Sequence, residues 1–309
     1  MKFSLTLIFA FLMIFLSSCS ITSNTSNTQE VLSLNIETTD KNKEIIIESL
    51  LQNETIFNVD FHNENSYSLG NDILNSNLKY FCKSFLDDQK DILEKSIFKD
   101  NEFINKKVLI VYTEEFIDTV NKLKEKYPNE EYFLLKNGDF EIQIKKILNI
   151  DLSISRYLDF SKLDKNIQIS YSPRIRNDIS SIYFLMNYSV SKTVVPIFRS
   201  YAFNIKFFSS SEIFHSALDF KKLIDFEGTY IPLTDKIIEK LSKKEDLSMK
   251  ENIEIFLIND LLTIEKIYQK NLFKENFTPD SGNLVISRSN CIKRNLDLWR
   301  VSADDFNQL

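Results

Sequence analysis

Between residues 31 and 231, short apolar runs rich in β-branched and aromatic residues alternate with stretches of helical periodicity. This alternation constrains the fold more than any other feature, because it implies βαβ units and an α/β chain with a mostly parallel sheet. Strands are expected at 31–36, 55–59, 107–112, 131–135, 179–186, 205–209 and 226–231, with an extended piece at 167–170. Helices are expected at 43–51, 71–85, 114–126, 140–148, 152–163, 190–202 and 252–268. In 114–126, Phe116, Val120, Leu123 and Tyr127 recur at helical spacing, and Pro128 follows as a stop. Pro196 predicts a kink or a break in 190–202. The apolar stripe of 252–268 is Ile255, Ile258, Leu262 and Ile267. A turn at Lys136-Asn137-Gly138-Asp139 marks the expected boundary between an N-terminal lobe (31–138) and a C-terminal lobe (139–309). Near the end, 282–287 and 291–298 read as a hairpin turning at Ser289-Asn290 and closed by Trp299.

Composition removes most enzyme classes. The four glycines, at 70, 138, 228 and 282, are too far apart for a phosphate-cradling loop, a dinucleotide fingerprint or a Gly-x-Ser-x-Gly elbow. The two histidines, His62 and His215, leave little material for imidazole catalysis. A net charge of −6 argues against nucleic acid as a partner, since counterion release needs a basic face. No cofactor and no metal is expected.

The N-terminus carries the most specific local signal. Lys2 precedes an apolar run, 3–16, that is too short to span a bilayer comfortably. The run ends in Leu16-Ser17-Ser18-Cys19, the pattern of a bacterial lipoprotein box. Residues 1–18 are therefore expected to be a cleaved lipoprotein signal peptide. Cys19 becomes the acylated N-terminus, because diacylglycerol is attached to a thiol there, and its acyl chains suffice for stable anchoring. Ser20 in second place, where Asp would signal retention, fits the outer membrane. Residues 19–30 form a flexible tether spanning on the order of 35–40 Å when extended, which lets the folded part face the periplasm. In that oxidising compartment Cys82 and Cys291 are allowed a bridge, although two separate buried thiols are the simpler expectation.

Few constellations could carry chemistry. Asp60, His62 and Glu64 would share one face of a strand, but no second cluster completes a metal site. The acidic pairs at 87–88, 114–115, 130–131 and 304–305 point apart on a helix and read as solvated faces or helix starts. His215 has no local nucleophile arrangement around it. Tyr171-Ser-Pro-Arg-Ile-Arg-Asn-Asp178 stands out, because two of only seven arginines sit here. If extended, as Pro173 suggests, it projects Arg174 and Arg176 to one side, with Asp178 able to pair with one of them. It reads either as an anion or partner contact or as an ion-paired lead-in to the strand at 179–186.

Ile147-Leu-Asn-Ile-Asp151 and Tyr171–Ile182, followed by Ser191-Lys-Thr-Val-Val-Pro196 and Ile205-Lys-Phe-Phe-Ser-Ser210, then Asp280-Ser-Gly-Asn-Leu284, Ile292-Lys-Arg-Asn-Leu296 and Trp299, occur in an order that resembles the penicillin-binding protein activator lipoproteins (LpoA/LppC type). The resemblance covers about residues 140–300. It implies a type 1 periplasmic-binding-protein-like fold, two α/β lobes around a cleft, here with a reduced N-terminal lobe. It further implies a non-enzymatic outer-membrane lipoprotein that binds and activates a bifunctional penicillin-binding protein and so regulates peptidoglycan synthesis. Arg174, Arg176, Asp178 and Trp299 are then the motif residues expected to meet the partner. Against that pattern, the sequence is expected to be without the family's helical-repeat N-terminal domain and the opening strand of its first lobe. One cleft wall is therefore reduced, which makes a small-molecule ligand doubtful. The alternative is a periplasmic substrate-binding lipoprotein of the amino-acid receptor type.

Overall fold

The computed structural model describes residues 32–37, 57–62, 80–99, 106–163, 171–218, 220–241, 248–270, 279–286, 291–302 and 306–308, and the single positions 43, 47, 51, 74, 75 and 78. Cys19, the signal and tether segments, Glu64, the acidic pair at 304–305 and the extended piece at 167–170 lie outside them.

Eleven strands are formed by the described residues. β1 (Leu32–Glu37) and β2 (Phe57–His62) pair in parallel as a two-stranded sheet. β3 (Lys107–Tyr112), β4 (Glu131–Leu134), β5 (Ile179–Leu185), β6 (Lys206–Ser209), β7 (Thr229–Leu233), β10 (Asp297–Val301) and β11 (Phe306–Gln308) form a seven-stranded sheet in the order β11-β10-β7-β6-β5-β3-β4. Its five inner and leading strands, β3 to β7, run parallel, while β10 and β11 are antiparallel additions at one edge. β8 (Asn283–Ile286) and β9 (Ile292–Asn295) make a separate hairpin. The chain is thus of the α/β class, as expected.

Burial on both faces explains the composition of the central strands. In β3 every residue after Lys107 is buried, the pattern of a parallel strand covered on both sides. Val108, Ile110 and Tyr112 point to one layer, with Leu93, Ile97 and Phe98 before β3 and Val120 and Leu123 of α2 (Ile117–Lys126). Leu109 and Val111 point to the other, with Ile144 of α3 (Phe140–Ile147) and Val194 and Phe198 of α5 (Tyr188–Tyr201). Side-chain oxygens start the helices: Asp139 accepts the Ile142 amide before α3, and Asn187 accepts the Val190 amide before α5. The long helix α7 (Met249–Lys270) buries Ile255, Ile258 and Leu262 of the expected stripe and half-buries Ile267.

Several expectations are corrected. The lobe boundary after Gly138 falls inside the large sheet, because β3 and β4 pair into the same sheet as β5 to β7. The helix expected at 71–85 is instead α1 (Phe85–Glu94), with a turn at Asn75 and an isolated bridge at Phe81 before it. Ser84 decides the start, since its Oγ accepts the Asp87 amide. Pro196 does not break α5, which runs through it; the carbonyl that lacks a partner belongs to Lys192, an exposed residue open to water. Residues 220–226 form a 3-10 turn, so β7 begins only at Thr229. Trp299 does not close the hairpin; it lies on β10, opposite Ile231 of β7. α4 (Ile150–Leu163) and α6 (Asp235–Leu241) complete the helices of the described residues.

The β8–β9 hairpin is clasped to the start of α1. Cys82 and Cys291 form a disulfide, not two separate thiols. The Cys82 amide donates to the Ile292 carbonyl (2.9 Å) and the Ile292 amide to the Tyr80 carbonyl (2.7 Å). Beside this bridge Arg294 is buried, its guanidinium 3.6 Å from the Phe81 ring centroid. It donates to Asp88 Oδ2 (3.2 Å), Ser281 Oγ (3.1 Å) and the Lys83 carbonyl (3.3 Å). Asp260, on α7, accepts the Asp280 and Ser281 amides at 2.6 and 2.7 Å. Gly282 sits in the hairpin at φ +147°, where a Cβ would lie 3.1 Å from Leu296 Cδ2 and 3.4 Å from the Asn295 carbonyl. Gly282→Ala is expected to cost roughly 1–2 kcal/mol, read as a lower urea midpoint at unchanged slope.

Two buried carboxylates around one guanidinium leave a net negative cluster that favours taking up a proton. Burial raises the Asp88 carboxyl to about 6, opposed by Arg294. Burial also raises the Asp260 carboxyl, opposed by hydrogen bonds from Ser281 and Asp280. Asp88 takes up a proton between its unfolded and its folded value. With an ordinary value of 3.8 in the unfolded chain, the folded state binds the extra proton between about pH 4 and 6. The contribution of Asp88 to stability therefore rises as pH falls through 6 and is complete below the unfolded value. Asp88→Asn, which mimics the protonated form, is expected to compare best with wild type at pH 7–8. It should lose that standing at pH 5 in paired denaturation curves; a pH-independent difference would refute the assignment.

Candidate functional site

The singled-out segment 171–178, without regular secondary structure, runs beside α4 and leads directly into β5. Backbone contacts fix its course. The Arg174 amide donates to Ser153 Oγ (3.0 Å), and the Arg176 amide to the Leu148 carbonyl at the end of α3 (3.1 Å). Asn149, between α3 and α4, adopts φ +56°, a left-handed turn that asparagine tolerates, and so brings α4 round to face the segment.

Arg176 and Asp178 form the pair that the spacing allows. Arg176 Nε and Nη2 donate to the two Asp178 oxygens at 2.7 and 2.5 Å, and Nη1 donates to Glu131 Oε1 at 2.7 Å. Hydrogen bonds donated to Asp178, then to Glu131, raise the guanidinium above its usual value, and Arg176 in turn holds the Asp178 carboxyl down. The neighbouring backbone shows what this does. The Asp178 carbonyl accepts the Lys107 amide at 2.7 Å, and Glu130 accepts the Val108 amide at 2.5 Å. The register between β3 and β5 shifts at these two residues. Arg176, Asp178, Glu130 and Glu131 together set the entry of three adjacent strands. The acidic pair at 130–131 is thus used in full, because on a strand edge its two members reach different partners.

Arg174 is different. Its side chain is exposed, and among the described residues its guanidinium has no hydrogen-bond or ionic partner. It borders a groove of about 930 Å³ between α4 and the segment. Across the groove Arg156 is likewise exposed and unpaired among the described residues. Sequence reading missed Arg156, although arginine is rare enough in this chain for its place four residues from both Leu152 and Phe160 to be a usable signal. Trp299 is not part of the groove: it lies on β10, and β7 and β6 separate that strand from β5.

The groove opens at the N-terminal ends of the parallel strands. Ligands of open α/β sheets enter at the opposite, C-terminal ends, and there the chain bridges its own elements. Gln89 of α1 is fully buried, donates to the Pro232 carbonyl of β7 (2.6 Å) and accepts from the Ser211 amide (3.0 Å) and hydroxyl (3.1 Å) beyond β6. Ser211 Oγ also lies 3.0 Å from His215 Nε2. The hydroxyl thus sits between the Gln89 amide oxygen and the imidazole, and links α1 to the turn after β6. Ser209 donates to the Phe184 carbonyl and Ser210 to Glu212, so these hydroxyls are also engaged internally. Asp60 and His62 lie on β2, and no metal-capable cluster occurs among the described residues. No described helix is long and apolar enough to cross a membrane.

No family model and no curated protein matches the chain. Among solved structures it is similar to the C-domain of LpoA (YraM) from Haemophilus influenzae, a regulator of PBP1A, at 10% identity over 91% of this chain and 100% of that one, with a TM-score of 0.40. It is similar to full-length LpoA from the same organism at 10% identity and a TM-score of 0.41, covering 91% of this chain and 59% of that one. A fatty acid ABC transporter substrate-binding protein from Thermomonospora curvata is similar at 13% identity and a TM-score of 0.42, over 91% of this chain and 92% of that one. The chain thus spans about three-fifths of full-length LpoA, and its neighbours include both a regulator of a penicillin-binding protein and a solute-binding protein.

Proposed function

We propose that the protein is a lipid-anchored regulator of cell-wall synthesis, held at the outer membrane through Cys19, that binds a bifunctional penicillin-binding protein and performs no chemistry itself. One observation carries this reading. The conspicuous polar motif faces an open groove at the N-terminal ends of the strands, while Gln89 bridges the chain across the ends where a small ligand would enter. A surface of that kind suits contact with a macromolecule. The lipoprotein box and the tether support the same reading, because they place a folded domain within reach of the periplasmic face of the cell wall. The amino-acid-receptor reading would need free hydroxyls around a cleft, and Ser209, Ser210 and Ser211 are engaged internally.

The test uses the mature chain and a purified class A penicillin-binding protein. Saturable binding with increased glycan cross-linking is expected, and absence of interaction at tens of micromolar would count against the proposal. In cells, Cys19→Ser is expected to move the protein from the membrane to the soluble fraction and to abolish labelling by palmitate. A Cys19→Ser form that stays labelled and membrane-bound would remove the anchor from the proposal.

A further inference from the structure

The groove contains more than the motif. α4 buries only Ile150. It turns Leu152, Arg156 and Phe160, spaced one turn apart, to the groove, with Leu152 54% and Phe160 63% exposed. Leu152 and Phe160 thus put apolar surface beside two cations that have no partner among the described residues. The charge balance is equally uneven. The chain carries a net −6 and only seven arginines, yet three of them line this groove. The one carboxylate of the lining, Asp178, is occupied by Arg176. Arg156 and Arg174 therefore form a positive island, rimmed by apolar surface, on an acidic protein.

We propose that this groove docks an extended acidic segment of a partner protein. Its carboxylates meet the Arg156 and Arg174 guanidiniums, whose planar forks match them bidentately, and an apolar side chain of the same segment lies on Leu152 and Phe160. The inference rests on the regulator reading only for the identity of the protein that carries the segment. Charge complementarity selects an acidic occupant, and the exposed Leu152 and Phe160 call for a ligand that carries apolar groups as well as anions. A glycan chain would call for several open aromatic faces. Here Tyr157 and Tyr171 stack on each other, centroids 4.2 Å apart and planes 18° from parallel, which leaves Phe160 as the one exposed aromatic ring of the lining.

The experiment measures fluorescence anisotropy of a fluorescein-labelled peptide of repeated Asp-Glu-Phe units against the mature chain, with a Lys-Lys-Phe peptide as control. Saturable binding of the acidic peptide is expected, weakened by added salt and weakened at least tenfold in R156E/R174E. The melting temperature of that variant should stay unchanged, since both side chains are exposed. F160S is expected to weaken binding several-fold with the salt dependence retained. Absence of saturable binding, equal affinity for the basic peptide, or undiminished binding by R156E/R174E overturns the inference. Binding of soluble glycan strands through these residues, with the acidic peptide excluded, assigns the groove to carbohydrate and also overturns it. No penicillin-binding protein enters this assay, so its failure leaves the regulator reading standing. Conversely, a chain that binds the peptide but no penicillin-binding protein loses only the regulator reading.

Discussion

Arg294→Met is expected to lower the stability of the folded chain by about 3–5 kcal/mol, the cost of removing one partner from a buried ionic cluster. The Arg294 side chain is only 1% exposed, and its guanidinium donates to Asp88, Ser281 and the Lys83 carbonyl. Burial lowers its pKa, and the carboxylates of Asp88 and Asp260 counter that by favouring the charged form. Without it, those carboxylates stay in the interior with no cation between them. The methionine fills the stem's volume, so the loss reports charge and hydrogen bonding more than a cavity. Urea denaturation of R294M, D88L and the R294M/D88L pair gives the test. The double variant should recover a large part of the loss, because the uncompensated Asp88 charge is gone and the residues that replace the pair are apolar. Additive single-variant losses, or an R294M midpoint equal to wild type, would show that the cluster does not hold the hairpin.

The second large effect concerns the disulfide beside it. Cys82 and Cys291 are 209 residues apart in sequence, so the bridge closes a loop of most of the folded chain and restricts the unfolded ensemble strongly. Loss of a native disulfide typically costs about 2–5 kcal/mol. Cys82→Ser, Cys291→Ser and the double variant should therefore lose stability by that amount. The double variant should match the singles, because either change alone opens the bridge. Reduction of the wild type should reproduce the effect, and amide exchange should accelerate first around 80–83 and 291–296. Titration of two free thiols in the oxidised protein, beyond an unmodified Cys19, would contradict the bridge outright.

Much of the fold could be read from local pattern. β3, α2, β4, α3, β5, β6 and α7 follow runs whose periodicity and β-branched content are unambiguous, and each lies within a few residues of its expected place. Failures occurred where a nearby signal competed with the apolar pattern. The region 71–85 has helical spacing, but Ser84 followed by Asp87 starts the helix later. The segment 291–298 alternates like one strand, yet β9 and β10 divide it between two sheets. The turn at Gly138 reads as a boundary because it resembles any other turn; only strand pairing shows that the sheet continues past it.

The candidate site was legible in part. The pairing of Asp178 with an arginine two residues away is a local matter of strand geometry and could be anticipated. That Glu131 completes it, across 45 residues of chain, could not. The α/β class, most element positions and the Arg174–Asp178 motif are properties of short stretches, and the sequence by itself determined them. The clasp of Cys82, Asp88 and Arg294, the Gln89 bridge across the strand ends, and the separation of the exposed arginines Arg156 and Arg174 from the ion-paired Arg176 were decided only by the tertiary structure. Each depends on side chains brought together by strand pairing and helix packing over long chain separations. Periodicity describes one element at a time, and no local preference can report which distant partner burial will supply.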